Sequence, residues 1–367
     1  MGKKMKTGLA VFMTCACLCS YAIAQELCPL PPSVSVGEHP KGDVPFDIEA
    51  LKSTWRNRIS AVKASGSMPV IDIESSFNSG KLNARDFARD MDQNGVALVA
   101  FSPEISEGEY KKNKTLWSDA SRRALNVDPC RYIPVTTAGI HPAWTDNPDE
   151  FLTATIQKAG EDRYPLLGEF EFRHYMSPRQ YERGQTYRDI TIPVNSPVGV
   201  RLFAYAATSG IPFEIHYEVE DALLPPLEEM LSRYPKAKVI WCHMGQVRYA
   251  ARAKKYGPDY VRKLIETYPN LYFDLAFGDG NSRYKPSDEY HARVWDPPTG
   301  KVKKEWVALI SDHPWRFLAA LDLGGDRMDN LAKNSRVLRK FIGDLPPHVQ
   351  EIVAYKAAWK LLFNEEI

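Results

Sequence analysis

From Pro69 onward the chain alternates short apolar runs with longer stretches whose apolar positions recur every three or four residues. The first kind has the length of a buried strand and the second the period of an amphipathic helix, so the pattern predicts repeated βα units. Strands are expected at 69–74, 96–101, 132–140, 165–172, 212–217, 237–243, 271–277 and 316–322. Helices are expected at 83–94, 113–125, 148–159, 197–209, 221–234, 258–268, 305–310, 328–342 and 347–363. Eight parallel strands close a barrel, so the expected fold class is α/β, a (β/α)8 TIM barrel over 66–367. Its length exceeds the roughly 250 residues typical of such barrels, and the surplus falls in long loops after the fourth and seventh strands.

Ahead of the barrel, residues 25–65 divide in two. A Pro- and Gly-rich stretch to residue 45 reads as an extended arm, and Ile48, Leu51, Trp55, Ile59 and Val62 then mark a helix. Residues 1–24 read as a signal peptide: Lys3, Lys4 and Lys6 precede an apolar run from Leu9 to Ile23, and Ala22-Ile23-Ala24 offers small residues for cleavage before Gln25. The run is shorter than the roughly 20 residues that a membrane span needs. The expectation is therefore a periplasmic or secreted protein with no stable span after cleavage. Cys15, Cys17 and Cys19 would leave with the label, while Cys28, Cys130 and Cys242 remain. In an oxidising compartment Cys28 and Cys130 could pair, whereas Cys242 sits inside a strand and reads as a small buried hydrophobe.

The 367 residues carry 44% hydrophobic side chains and a formal net charge of +1. That supports a large core and supplies no polyelectrolyte footprint, so a small-molecule substrate is expected rather than nucleic acid.

The chemistry stands at strand ends. FEIH ends at His216, VIWCH at His243 and FLAALD at Asp322, while LLGEFEF carries Glu169 and Glu171. Barrel active sites form at C-terminal strand ends, and convergent imidazoles and carboxylates there suit a divalent metal. A lone histidine is more often a core side chain than a ligand, so the weight rests on the set. Glu171 shares a strand face with Glu169 and is either a substitute ligand or a partner that orients one. The alternative for both is an ion pair with Arg173. Glu218 stands at the mouth where it could touch substrate, as could Arg173. The long loop at 278–304 adds Arg283 and Tyr284 as further substrate-binding candidates, along with His291.

At these residues the chain resembles the amidohydrolase superfamily. YPKAKVIWCHMG is similar to the family's proline, buried strand and His-x-Gly; HPWRFLAALD resembles its eighth-strand ending; TAGIHP and LLGEFEF look like pieces of TatD-type hydrolases. The departure lies in the first strand, where the family's Asp-x-His-x-His is replaced by Asp72-Ile73-Glu74-Ser75-Ser76. One branch, the N-acetylglucosamine-6-phosphate deacetylases, includes members that lack the histidine pair and hold one metal through a fourth-strand glutamate and the histidines of strands five and six. Glu169, His216 and His243 match that pattern. The resemblance thus implies one divalent ion, with zinc expected, on those three residues; Asp322 as a free proton acceptor; and Glu74 as an alternative ligand or supporting carboxylate. The implied reaction is hydrolysis of an amide, ester or lactone-like bond. The rival reading is a barrel that has lost its metal with the strand-1 histidines and binds a ligand or partner; a metal-free glycosidase using paired carboxylates ranks behind it.

Overall fold

The computed structural model describes residues 28–37 and 46–367 except 79, 245, 291, 292 and 326. The expected signal peptide, part of the arm and His291 lie outside the described residues. Eight strands run parallel around the molecule: β1 (Val70–Phe77), β2 (Val96–Pro103), β3 (Tyr132–Pro134), β4 (Leu167–His174), β5 (Phe213–Tyr217), β6 (Val239–Trp241), β7 (Leu271–Asp274) and β8 (Phe317–Leu318). Ladders join β1 to β2 to β3, and β4 through β8 in sequence. Two parallel bridges, Val135 to Leu166 and Gly139 to Phe170, connect the chain after β3 to β4. The last seam closes by backbone bonds: Ile73 N donates to Ala319 O at 3.0 Å, Asp322 N to Glu74 O at 3.2 Å, and Ser76 N to Leu323 O at 2.7 Å. The sheet is thus a closed (β/α)8 barrel, as the strand count predicts.

Four strands, β3, β6, β7 and β8, are markedly shorter than expected, and at the last three side chains take over the ladder at the strand ends. Beyond β8 the backbone N–H of Leu321 donates to Asp72 Oδ1 at 2.8 Å and that of Leu323 to Ser75 Oγ at 3.0 Å. Beyond β6 and β7, Asp274 Oδ1 accepts the N–H groups of His243 and Ala276, both at 2.9 Å. Buried backbone groups must be paired, and these polar side chains pair them where the chain turns away from the sheet.

The expected helix at 113–125 is instead two, Glu107–Asn113 and Ala120–Val127. Lys114 in a left-handed conformation ends the first, and Asp119 begins the second. The last helix, expected to be continuous, contains a π turn at Ile352–Lys356. There Val353 O accepts the N–H of Ala319 at 3.1 Å, so the irregular turn anchors the C-terminal helix to the end of β8. The 278–304 loop folds into two short antiparallel pairs, 283–284 with 289–290 and 295–296 with 301–302. The loop after β4 carries a short helix, Pro178–Glu182, and a two-residue strand, Ile190–Thr191, that returns antiparallel beside β4.

Helix Ile48–Ala64 packs outside the barrel: Trp55 Nε1 donates to Pro129 O, and Arg58 donates to the carbonyls of Val96 and Ala97. The arm is tied down by a Cys28–Cys130 disulfide and by buried Arg131, which reaches Cys28 O, Asp92 and Asp128. Cys242 is buried and unpaired. Among the described residues, no helix is long and apolar enough to cross a membrane.

Candidate metal centre

Glu169 on β4, His216 on β5 and His243 after β6 converge at the C-terminal end of the barrel. Their donor atoms lie within 4.8 Å of one another. Glu169 Oε1 is 2.9 Å from His216 Nδ1 and 3.2 Å from His243 Nε2, so one carboxylate oxygen stands between the two rings. Each ring is held from behind. His216 Nε2 meets Glu218 Oε1 at 3.2 Å, and His243 Nδ1 meets Ala276 O at 2.8 Å. A carbonyl can only accept, so His243 Nδ1 carries a proton, and Nε2 is the nitrogen turned to Glu169 and the one that a metal would take. For His216 the Glu218 carboxylate makes Nε2 the donor and leaves Nδ1 facing Glu169, which is the arrangement that orients a ligating imidazole.

The backbone is strained where the chemistry sits. His243 has φ 58° and Asp322 φ 49°, both left-handed and neither a glycine. The His243 turn is held by its N–H bond to Asp274, so the surrounding structure fixes an uncommon conformation at a site residue.

A second group shares His243: Glu74 on β1, His243 and Asp322 also bring their donor atoms within 4.8 Å. Glu74 Oε2 is buried without a hydrogen-bond partner. Burial, and then the carboxylates of Glu169, Asp322, Asp274 and Glu214, push the Glu74 carboxyl well above the usual range. Burial likewise opposes charge on His216, but Glu169 and Glu218 outweigh it and push the imidazole up to about 10. Against its own burial, Glu169 is held well below the ordinary range by His216 and His243. Convergent acids and imidazoles with an unpartnered buried oxygen fit a cation, so the donor set suits a divalent metal.

Several sequence expectations change. Asp322 is not free, because Arg327 donates to both of its oxygens, at 3.0 and 2.7 Å. Glu171 belongs to neither ligand group: both its oxygens accept from Arg188, which sits in the loop after β4. The alternative pairing of Glu171 or Glu169 with Arg173 does not form, since Arg173 is bound to Glu220 and Asp189 and lies 3.6 Å over the ring of Tyr175. Glu218 is not an exposed carboxylate of the mouth: it is buried between His216 and Arg248. Arg283 is exposed on its hairpin and paired with Asp288, while Tyr284 is buried against Tyr175, Tyr249 and Arg248. A small void beside the centre is lined by His216, Glu218, Val219, His243, Gln246 and Tyr256.

Sequence reasoning missed His174, whose ring lies 4.7 Å from that of His216, and the arginines 188, 248 and 327. Arg248 and Arg327 each follow a strand-end ligand by five residues, a spacing visible in the sequence. Which carboxylate each arginine clamps depended on how the loops fold back.

Residues 167–298 match the amidohydrolase family model. That segment includes Glu169, His216 and His243, and with it the resemblance to the amidohydrolase superfamily holds. No curated protein matches the sequence. Solved structures with similar chains include a 2,6-dihydroxybenzoate decarboxylase complexed with 2,6-dihydroxybenzoate, at 11% identity over 81% of this chain and 99% of that one, with a TM-score of 0.46. A dihydroxybenzoic acid decarboxylase from a Polaromonas species, with bound manganese and 2-nitroresorcinol, is 11% identical over 81% and 98% of the two chains, with a TM-score of 0.48. Amidohydrolase 2 from Bifidobacterium longum subsp. infantis is 14% identical over 80% and 98%, with a TM-score of 0.43.

Proposed function

We propose that this barrel is an exported metal-dependent hydrolase that holds one divalent ion, zinc, on Glu169, His216 and His243 and acts on an amide, ester or lactone-like bond of a small molecule. The observation that carries the reading is the placement of those three donor sets within 4.8 Å, each imidazole oriented from behind by a buried acceptor. A divalent ion supplies Lewis acidity and brings the pKa of water toward neutrality. The residues of the chain do the rest. Glu218 and Ala276 O hold the two tautomers, Glu169 sets the spacing of the rings, and Asp322 is the carboxylate placed to accept a proton. The Cys28–Cys130 disulfide supports an oxidising compartment, and with it export.

Metal analysis of purified protein is the direct test. One equivalent of ion, lost on His216→Ala, is the expected result, and a metal-free wild type would sink the reading. Glu74→Gln should leave the ion in place, because the first ligand group does not need Glu74. Loss of the ion on that change alone would move the centre to Glu74, His243 and Asp322. A second reading, a binding barrel without hydrolytic chemistry, is favoured by one observation: Asp322 is already paired with Arg327. Metal-replete protein inactive on a broad panel of amides, esters and lactones would support it. Secretion is tested by sequencing the mature N-terminus, which should begin near Gln25.

A further inference from the structure

We propose that Arg327 is the receptor for an anionic group on the substrate, and that the substrate's oxyanion, by drawing the guanidinium away, releases Asp322 for chemistry. This rests on the hydrolase reading above. The Asp322 carboxylate ends β8 beside His243 and Glu74, yet both of its oxygens are occupied by Arg327 in a fork-to-fork pair. While both oxygens accept from the guanidinium fork, that edge of the carboxylate is closed to a water or a substrate group. Something must take up the guanidinium before Asp322 can act.

The surroundings say what that can be. Among the three arginines that clamp strand-end carboxylates, Arg188 is partly buried and Arg248 buried, with side chains 14% and 8% exposed. Arg327 alone of the three is open, at 44%. It sits in the short loop that follows β8, and its Nε donates weakly to Gly324 O at 3.4 Å. That loop is packed down onto β1 and β2: Glu104 Oε1 accepts from Ser76 Oγ at 2.6 Å and from the N–H of Gly325 at 2.9 Å. A Cβ added at Gly324 would lie 2.6 Å from Ser76 Oγ and 3.1 Å from Arg327 Nη2, so the loop backbone lies directly against β1 at this point. Gly325 is thus tied to Glu104, while the Arg327 side chain keeps 44% of its surface exposed. A planar fork that now binds a carboxylate is matched to another oxyanion, and a carboxylate or phosphoryl group on the substrate offers the same geometry. Ser76 belongs to the same arrangement. Where the family places an imidazole, this chain has a hydroxyl bonded to Glu104, which braces the loop that carries Arg327.

The test compares two ligands that differ only in charge: N-acetylphenylalanine, with a carboxylate next to its amide bond, and its neutral carboxamide. Calorimetry on the purified full-length mature protein should show the anion binding at least tenfold more tightly. In Arg327→Gln that preference should fall to within twofold, and Arg327→Lys should recover part of it, because charge remains but the fork is lost. Circular dichroism and metal content of each variant show that folding and the centre are intact. Equal binding of the two ligands to the wild type, absence of binding by either, or an undiminished preference in Arg327→Gln would overturn the proposal. A wild type that holds no ion but keeps an Arg327-dependent anion preference would defeat the hydrolase reading while leaving the receptor in place.

Discussion

At the scale of single residues, the decisive contrast is between His216 and the carboxylates around it. Its imidazole is pushed up to about 10, against a reference of 6.5, by Glu169 and Glu218 acting over its burial. In metal-free protein near neutral pH it therefore carries both protons, and a metal must displace the one on Nδ1. Zinc titration at pH 7 should release at least one proton per ion, measurable in weakly buffered solution, and apparent affinity should rise with pH. Release of no protons would contradict the assignment of His216 as a ligand. The same raised value makes a stability statement for metal-free protein. A group whose folded value is raised stabilises fully below its unfolded value, so the contribution of His216 is complete below about 6.5 and is lost as pH rises toward about 10. Glu169 is depressed, so its contribution is present above its unfolded value of 4.5 and fades on acidification below it. Thermal melting of the metal-free protein should accordingly peak between these limits, and the alkaline loss should shrink in His216→Gln.

Glu218 offers a second residue-level test. It touches His216 and Arg248 and lies in neither ligand group. Glu218→Gln should keep the fold and weaken metal binding roughly 10–100-fold, the usual cost of removing a carboxylate that orients a ligating imidazole. Metal competition with a chromophoric chelator reads that directly. Asp322→Asn should retain the ion and lose most hydrolytic activity.

At the scale of elements, the site depends on how closely β4 approaches β2 and the chain after β3. Gly168, next to Glu169, leaves no space for a methyl group: an added Cβ would lie 2.0 Å from Ser102 Oγ and 2.8 Å from Thr136 O. Gly168→Ala should destabilise the protein by about 1–3 kcal/mol, the usual range for overpacking. It should also displace Glu169, so metal occupancy falls with the denaturation midpoint. Asp274 matters for a different reason. It takes the N–H groups of His243 and Ala276 and so holds the left-handed turn that presents the ring. Asp274→Ala leaves two buried donors unpaired, at about 1–3 kcal/mol each. Both loss of stability and loss of the ion are expected, and a variant that melts like wild type would show that other groups satisfy the turn.

At the scale of the whole molecule, the arm and the barrel are joined by a disulfide that closes a separation of 102 residues. On loop-entropy grounds a closure of about 100 residues contributes up to about 4.7 kcal/mol. Reduction, or Cys28→Ser, should therefore lower the melting temperature by several degrees, with little change in metal content because the link lies outside the barrel mouth. Cys242, whose thiol burial pushes well up, should resist alkylation until the protein unfolds.

The sequence by itself indicated the barrel, because period and run length report which residues must leave water, and eight apolar runs separated by helical spacing are the number that closes a parallel barrel. It also determined which strand ends carry Glu169, His216, His243 and Asp322, since alternation along a strand fixes which side chains face inward. It did not determine where the strands stop: Asp72, Ser75 and Asp274 end the ladders by bonding to backbone far away in the chain. Nor could it show the partners of the charges. Arg173 had Glu169 and Glu171 as near neighbours in sequence, yet it binds Asp189 and Glu220, while Glu171 and Asp322 are claimed by arginines of the loops that follow their own strands and Glu218 by one from the loop after β6. Burial follows a pattern that a sequence displays locally. An ion pair is decided by the distance between groups on different loops, and only the folded chain sets that distance.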